Sequence, residues 1–119
     1  MNLLSKSLLS LSLITASQIL FAQARDDKAA GVTTVEMRSI SFAPKIITIE
    51  PGQSVVWKNV SLTDHSATSS DDTRPFDTTM VNPKASSKPV MFSQAGEYPY
   101  LCKLHGRTMS GLVVVKAKK

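Results

Sequence analysis

Cysteine and histidine are nearly missing from this chain of 119 residues, which has one of the first and two of the second. A single cysteine excludes an internal disulfide framework. Two histidines exclude a histidine-rich metal cluster. No stretch keeps a helical period beyond two turns, so an all-helical fold is excluded as well. Nowhere do basic residues run together with interleaved aromatics, and the net charge of +5 is spread out except at Lys116, Lys118 and Lys119. Nucleic-acid binding is therefore not indicated. No internal repeat or low-complexity segment occurs.

Long apolar runs are also missing, with one partial exception. Lys6 gives a positive start, Ser7 to Phe21 is apolar and uncharged, and Ala22-Gln23-Ala24 fits a small-x-small cleavage pattern. The run is too short and too interrupted by Ser, Thr and Gln for a comfortable membrane span. Residues 1–24 are expected to be a cleaved signal peptide and 25–31 a flexible N-terminus. Residues 32–119 would then form one small domain, exported to the periplasm without stable membrane insertion and monomeric. A lone thiol in an oxidising compartment is a hazard unless something occupies it.

What is present is β-strand pattern. Val32 to Arg38, Ile46 to Glu50, Ser54 to Asn59, Lys88 to Phe92, Glu97 to Leu101 and Leu112 to Lys116 read as short strands. Ser66 to Ser69 could add another. Pro51-Gly52 and Gln94-Ala95-Gly96 are turns, and Ser41-Phe42-Ala43-Pro44 reads as a break. Val55 and Trp57 share one strand face, with Trp57 expected in the core. Pro99 lacks a donor and belongs at an edge or bulge. Ser61 to Ser86 is the longest irregular region, and a segment of that length in a small domain usually carries function or unrecognised short elements. Asn59-Val60-Ser61 matches a glycosylation sequon, a weak signal alone. The pattern predicts an all-β sandwich or barrel.

The chemistry gathers in Tyr98 to Gly111. Cys102, His105 and Met109 fall there within eight residues. Thiolate, imidazole and thioether together suit copper, and two His, one Cys and a weak axial Met form the blue-copper donor set. The second imidazole must be His65, the only other histidine. Met109 shares the short segment with Cys102 and His105, so little extra closure entropy is needed to bring it in; Met80, in the long region, stays as an alternative axial donor. His105 is expected at an exposed turn, and His65 behind the long segment. Zinc would take Cys and two His but gains little from a thioether. A Cys102–His105 nucleophilic dyad is the enzyme alternative, though residues this close on one tight loop are better placed to share a metal.

The chain resembles a small cupredoxin of the plastocyanin, amicyanin and pseudoazurin group. The likeness runs through Phe42-x-Pro44, Ile47-x-Ile49, Pro51-Gly52, Val55-x-Trp57-x-Asn59 and His65-Ser66. It continues in Gly96 to Cys102, in Met109-Ser110-Gly111 and in the valine run, covering Val32 to Lys116. It implies a Greek-key β-sandwich with His65, Cys102, His105 and Met109 as ligands of one copper ion, and single-electron shuttling between redox proteins. Three residues separate His105 from Met109, as in azurin; plastocyanin and pseudoazurin have four and amicyanin two. Arg107 stands beside His105, where relatives often present an apolar surface, and suits a partner with an acidic docking face. Storage or delivery of copper would use the same ligands.

Overall fold

The structure, a computed structural model, describes residues 31–118. The leader expected at 1–24, and all of the expected flexible terminus except Gly31, lie outside the described residues.

Eight strands form: β1 (Val32–Met37), β2 (Phe42–Ala43), β3 (Ile46–Ile49), β4 (Gln53–Asn59), β5 (Thr68–Ser69), β6 (Val90–Phe92), β7 (Gly96–Cys102) and β8 (Gly106–Val115). They make two four-stranded sheets, ordered β2-β1-β4-β6 and β3-β8-β7-β5. Both sheets are mixed: β1 runs parallel to β4, and β3 parallel to β8. Strands adjacent in sequence repeatedly fall in different sheets, so the chain passes back and forth between the layers. This is the expected all-β sandwich of Greek-key type.

The strands form where the sequence alternates. Val35 and Met37, Ile47 and Ile49, Val55 and Trp57, Tyr98 and Tyr100, and Val113 and Val115 are all buried. Their neighbours face outward, as a period of two requires. Trp57 is fully buried, as expected, with Tyr100 edge-on at 5.3 Å and Phe76 stacked at 5.7 Å. Phe76 thus carries the long connection into the core.

Three local readings change. Phe42–Ala43, read as a break, pairs with the end of β1 through Glu36↔Ala43 and Met37↔Phe42. Asp64 to Val81 is not irregular throughout: His65 and Val81 exchange both backbone bonds (3.2 and 2.7 Å), and Thr78 and Ser69 donate across to Ala67 and Phe76. Each rung joins one polar and one apolar residue (His65 with Val81, Thr78 with Ala67, Ser69 with Phe76), so no apolar alternation announced them. The last strand begins at Gly106 rather than Leu112. Pro99 sits in β7, where its carbonyl accepts from Ser70. In an extended residue the N and C=O point the same way, so the missing donor faces the chain just past the end of β5 and breaks no ladder bond.

Gly111 faces Tyr100 across β7 and β8. A Cβ there would stand 2.4 Å from the phenol Cζ and 2.5 Å from its Oη. Gly111→Ala should therefore lower stability by about 1–3 kcal/mol through overpacking. The urea midpoint of the apo-protein measures this, and an unmoved midpoint would mean that the ring is not seated on Gly111.

Candidate metal centre

β7 delivers Cys102 by parity. Tyr98, Tyr100 and Cys102 all point inward, and Cys102 ends the strand fully buried. The chain then turns, with the His105 amide donating to the Cys102 carbonyl at 3.3 Å. Gly106 completes the turn at φ +59°, a conformation that glycine adopts without a Cβ penalty. His105 is half-buried, while Leu104 beside it is 59% exposed.

His65 arrives from the other sheet's β4 by way of the long connection, anchored by its pairing with Val81. Its side chain is fully buried. Nδ1 lies 3.7 Å from the Cys102 Sγ, and the Nδ1 of His105 lies at the same distance from that sulfur. One donor atom from each of the three residues falls within 4.8 Å of the others. The Nε2 of His65 is 3.4 Å from the Thr63 hydroxyl. Burial holds the imidazole below its ordinary pKa and His105 acts the same way, opposed by Asp64 and by a hydrogen bond to the Arg38 backbone. A neutral ring is the form that ligates metal.

Sequence reasoning missed Ser66. Its amide donates to the Cys102 Sγ at 3.5 Å, and its hydroxyl accepts from the Lys103 amide at 3.1 Å. The residue after His65 thus joins the two arms of the site. Only its adjacency to His65 pointed to it.

Met109 lies in β8 and not on the turn. The ladder pairs Leu101 with Ser110, then jumps to Cys102 with Gly106, leaving Arg107 to Met109 as a bulge. Met109 therefore adjoins the Leu101–Ser110 rung next to Cys102, on the inward side, and is fully buried. Of the other methionines among the described residues, Met37 is in the core of β1, while Met80 and Met91 are 43% and 67% exposed.

The donors suit a soft metal. Atoms bonded at about 2.1 Å (nitrogen) and about 2.3 Å (sulfur) lie 3.7 Å apart when they subtend roughly 115° at the metal. That angle is compatible with one metal ion shared by two imidazoles and a thiolate, donors that suit copper.

Fold and donors define a small β-sandwich metalloprotein with a copper-suited centre. Residues 29–116 match the family described as copper binding proteins, plastocyanin/azurin family, and the chain belongs to it. The chloroplastic plastocyanin of Tetradesmus obliquus is 30% identical over 106 residues, which are 81% of this chain and 73% of that protein. A reduced amicyanin variant superposes with a TM-score of 0.65 at 22% identity, over 72% of this chain and 83% of its own. The copper-containing nitrite reductase of Thermus scotoductus SA-01 gives 0.65 at 26% identity over 73% of this chain, which spans only 23% of that enzyme. The protein is a cupredoxin-like blue copper protein; its cofactor is one copper ion and its broad function electron transfer.

One ion pair ties the ligand turn to the long connection. Lys103 Nζ bonds Asp77 Oδ2 at 2.5 Å, and Asp77 Oδ1 accepts from the Thr79 amide and the Thr68 hydroxyl. Burial works against ionisation of Asp77, but Lys103, Thr79 and Thr68 together outweigh it and hold the carboxyl below its ordinary value. The resulting stability is present above the unfolded carboxylate pKa and is lost as pH falls through the folded one. Apo Asp77→Asn should be less stable than wild type near about pH 7, by under about 1 kcal/mol because the pair reaches solvent. The gap should close toward about pH 3. Urea midpoints across that range test it, and a gap that persists in acid would show that ionised Asp77 is not the tie.

Proposed function

We propose that this chain is an exported one-electron carrier whose copper would be held by His65, Cys102 and His105, with Met109 as a further, weak donor. The observation that carries it is the pair of 3.7 Å approaches of imidazole Nδ1 atoms to one buried thiol. Copper bound there supplies a one-electron change between Cu(I) and Cu(II). Complete burial of Cys102 keeps water and oxidants from its sulfur, and the Ser66 amide offsets charge on it. His65 is sealed on all sides, so half-buried His105 is the edge through which an electron passes to a partner.

Burial also answers the hazard of a lone thiol in an oxidising compartment, which supports placement in the periplasm behind a cleaved leader. An enzymatic role has less support. Both histidines of the chain lie at one site, leaving none for a second copper centre. A groove of about 430 Å³ between residues 77–82 and 85–90 contains none of the four donors. Storage or delivery would use the same donors, and no feature of the geometry favours it.

Thiolate bound to Cu(II) gives an intense visible band that zinc does not give. The protein loaded with Cu(II) should be coloured, and Cys102→Ser should abolish the band. Met109→Leu should keep the colour and raise the reduction potential, because a donor to Cu(II) is lost. If Met80→Leu moves the potential while Met109→Leu does not, the axial assignment is wrong.

The docking face is the copper end, around His105. Leu104 is exposed there, and Leu62, next to Thr63, is 86% exposed. Lys103 is engaged by Asp77, so Arg107 is the exposed charge on this turn that makes no ion pair with any described residue. It suits a redox partner with an acidic face. Arg107→Glu should slow association with such a partner several-fold and weaken its salt dependence, leaving the visible band unmoved. An unaltered rate and salt slope would remove this face from consideration.

A further inference from the structure

We infer that Asn59 is a positioning residue that sets how His65 meets the metal. The inference rests on the reading of His65 as a ligand. Asn59 is the last residue of β4 and is fully buried. Its weak match to a glycosylation sequon has no outlet, because the amide nitrogen is enclosed and bonded twice. Nδ2 donates to the Thr63 carbonyl at 2.7 Å and to the Val81 carbonyl at 2.9 Å. Oδ1 accepts from the Ser61 amide at 2.9 Å and the Ser61 hydroxyl at 2.7 Å. Both amide hydrogens and both acceptor directions are used.

These bonds bracket His65 on both sides. Thr63 precedes it by two residues and places its hydroxyl 3.4 Å from the imidazole Nε2. The Val81 carbonyl that accepts from Asn59 also accepts from the His65 amide, and the Val81 amide donates back to the His65 carbonyl. One oxygen therefore links the Asn59 side chain to the His65 backbone. Asn59 in turn belongs to the sheet, paired with Met37 in β1, while its own amide and carbonyl bond Ala85 and Lys84. The ligand on a long connection is thereby referenced to a rigid strand end. An apolar residue of similar size would fill the space but would leave buried polar groups of Ser61, Thr63 and Val81 without these partners. Groups that orient a ligating imidazole tune the metal as well as the fold.

Asn59→Leu keeps the branching and the number of side-chain heavy atoms, adds no charge and removes all four bonds. Val35→Ala, buried in β1 and outside the bonds around His65, serves as a control for lost stability. Both proteins are loaded with Cu(II), and reduction potential and copper loss to a chelator are measured beside the urea midpoint. Asn59→Leu should raise the potential and speed copper loss by about tenfold or more, whereas Val35→Ala lowers only the midpoint. Equal behaviour of the two variants would overturn the proposal. Should Asn59→Leu fail to fold, Ser61→Ala carries the test: it removes one bond to Oδ1 along with the hydroxyl's contacts to the Thr63 carbonyl and amide, should shift both readouts the same way by less, and no shift overturns the inference.

A metal-free readout separates this idea from the ligand assignment. In the apo-protein, amide exchange at His65 and Val81 should accelerate in Asn59→Leu (or Ser61→Ala) more than at Val113. Unchanged exchange refutes the tie to Asn59. If His65→Ala keeps the wild-type copper band while exchange behaves as expected, it is the ligand reading that has failed.

Discussion

Two strands of chemistry meet at Ser66. Its amide reaches the Cys102 sulfur and its hydroxyl takes the Lys103 amide, so the His65 arm is fastened to the end of β7. Residues 65 and 102 are far apart in sequence, and closing so long a loop costs conformational entropy. The remainder of the molecule can be read as what offsets that cost. Phe76 sends the long connection into the aromatic core against Trp57, Phe92 and Tyr100. The His65–Val81 pairing folds that connection back on itself, and Asp77 ties it to the turn that bears Cys102 and His105.

The core explains why the site lies at one end. Most of the interior is apolar, while the buried polar residues among those described are Asn59, Ser61, His65 and Ser66. All four fall within one short stretch, and each has a hydrogen-bond partner in the structure. Buried polar groups are tolerated when satisfied, and concentrating them keeps the sandwich interior dry elsewhere. Trp57 Nε1 and Tyr100 Oη are the exceptions: both are buried, and among the described residues neither meets a partner in hydrogen-bonding geometry, although the indole N–H lies near enough to the phenol to favour its ionised form slightly. Burial pushes the Tyr100 hydroxyl up to about 12, so it stays neutral. Their rings meet edge to face, the arrangement that aromatic quadrupoles prefer. Their contribution is packing.

On the proposed ligand set, exposure divides the two imidazoles between two tasks. His65 is enclosed and cross-tied, while His105 sits on a short turn next to exposed Leu104 and Arg107. A rigid ligand resists rearrangement as charge changes, and an accessible one shortens the path to a partner. The same turn bears Lys103, whose charge is engaged by Asp77. A positive surface near His105 therefore depends on Arg107 more than on the count of basic residues.

Scarcity made the donors legible in the sequence. With one cysteine and two histidines there was a single way to assemble thiolate and two imidazoles, and alternation along β1, β3, β4 and β7 declared the sandwich without reference to any long-range contact. Residue type and period are local properties, so sequence alone determined them. The pairing of His65 with Val81 was not legible because it is an isolated backbone bridge, and the Ser66 junction and the Asn59 bracket were not because polar side chains that bond backbone groups have no period. Met109 shows the division within one residue. Its chemistry and its nearness to Cys102 could be read directly, but its place in β8 arises from a bulge set by where β7 and β8 resume their register. Only the tertiary structure decides that, since register depends on which faces of two sheets are buried together.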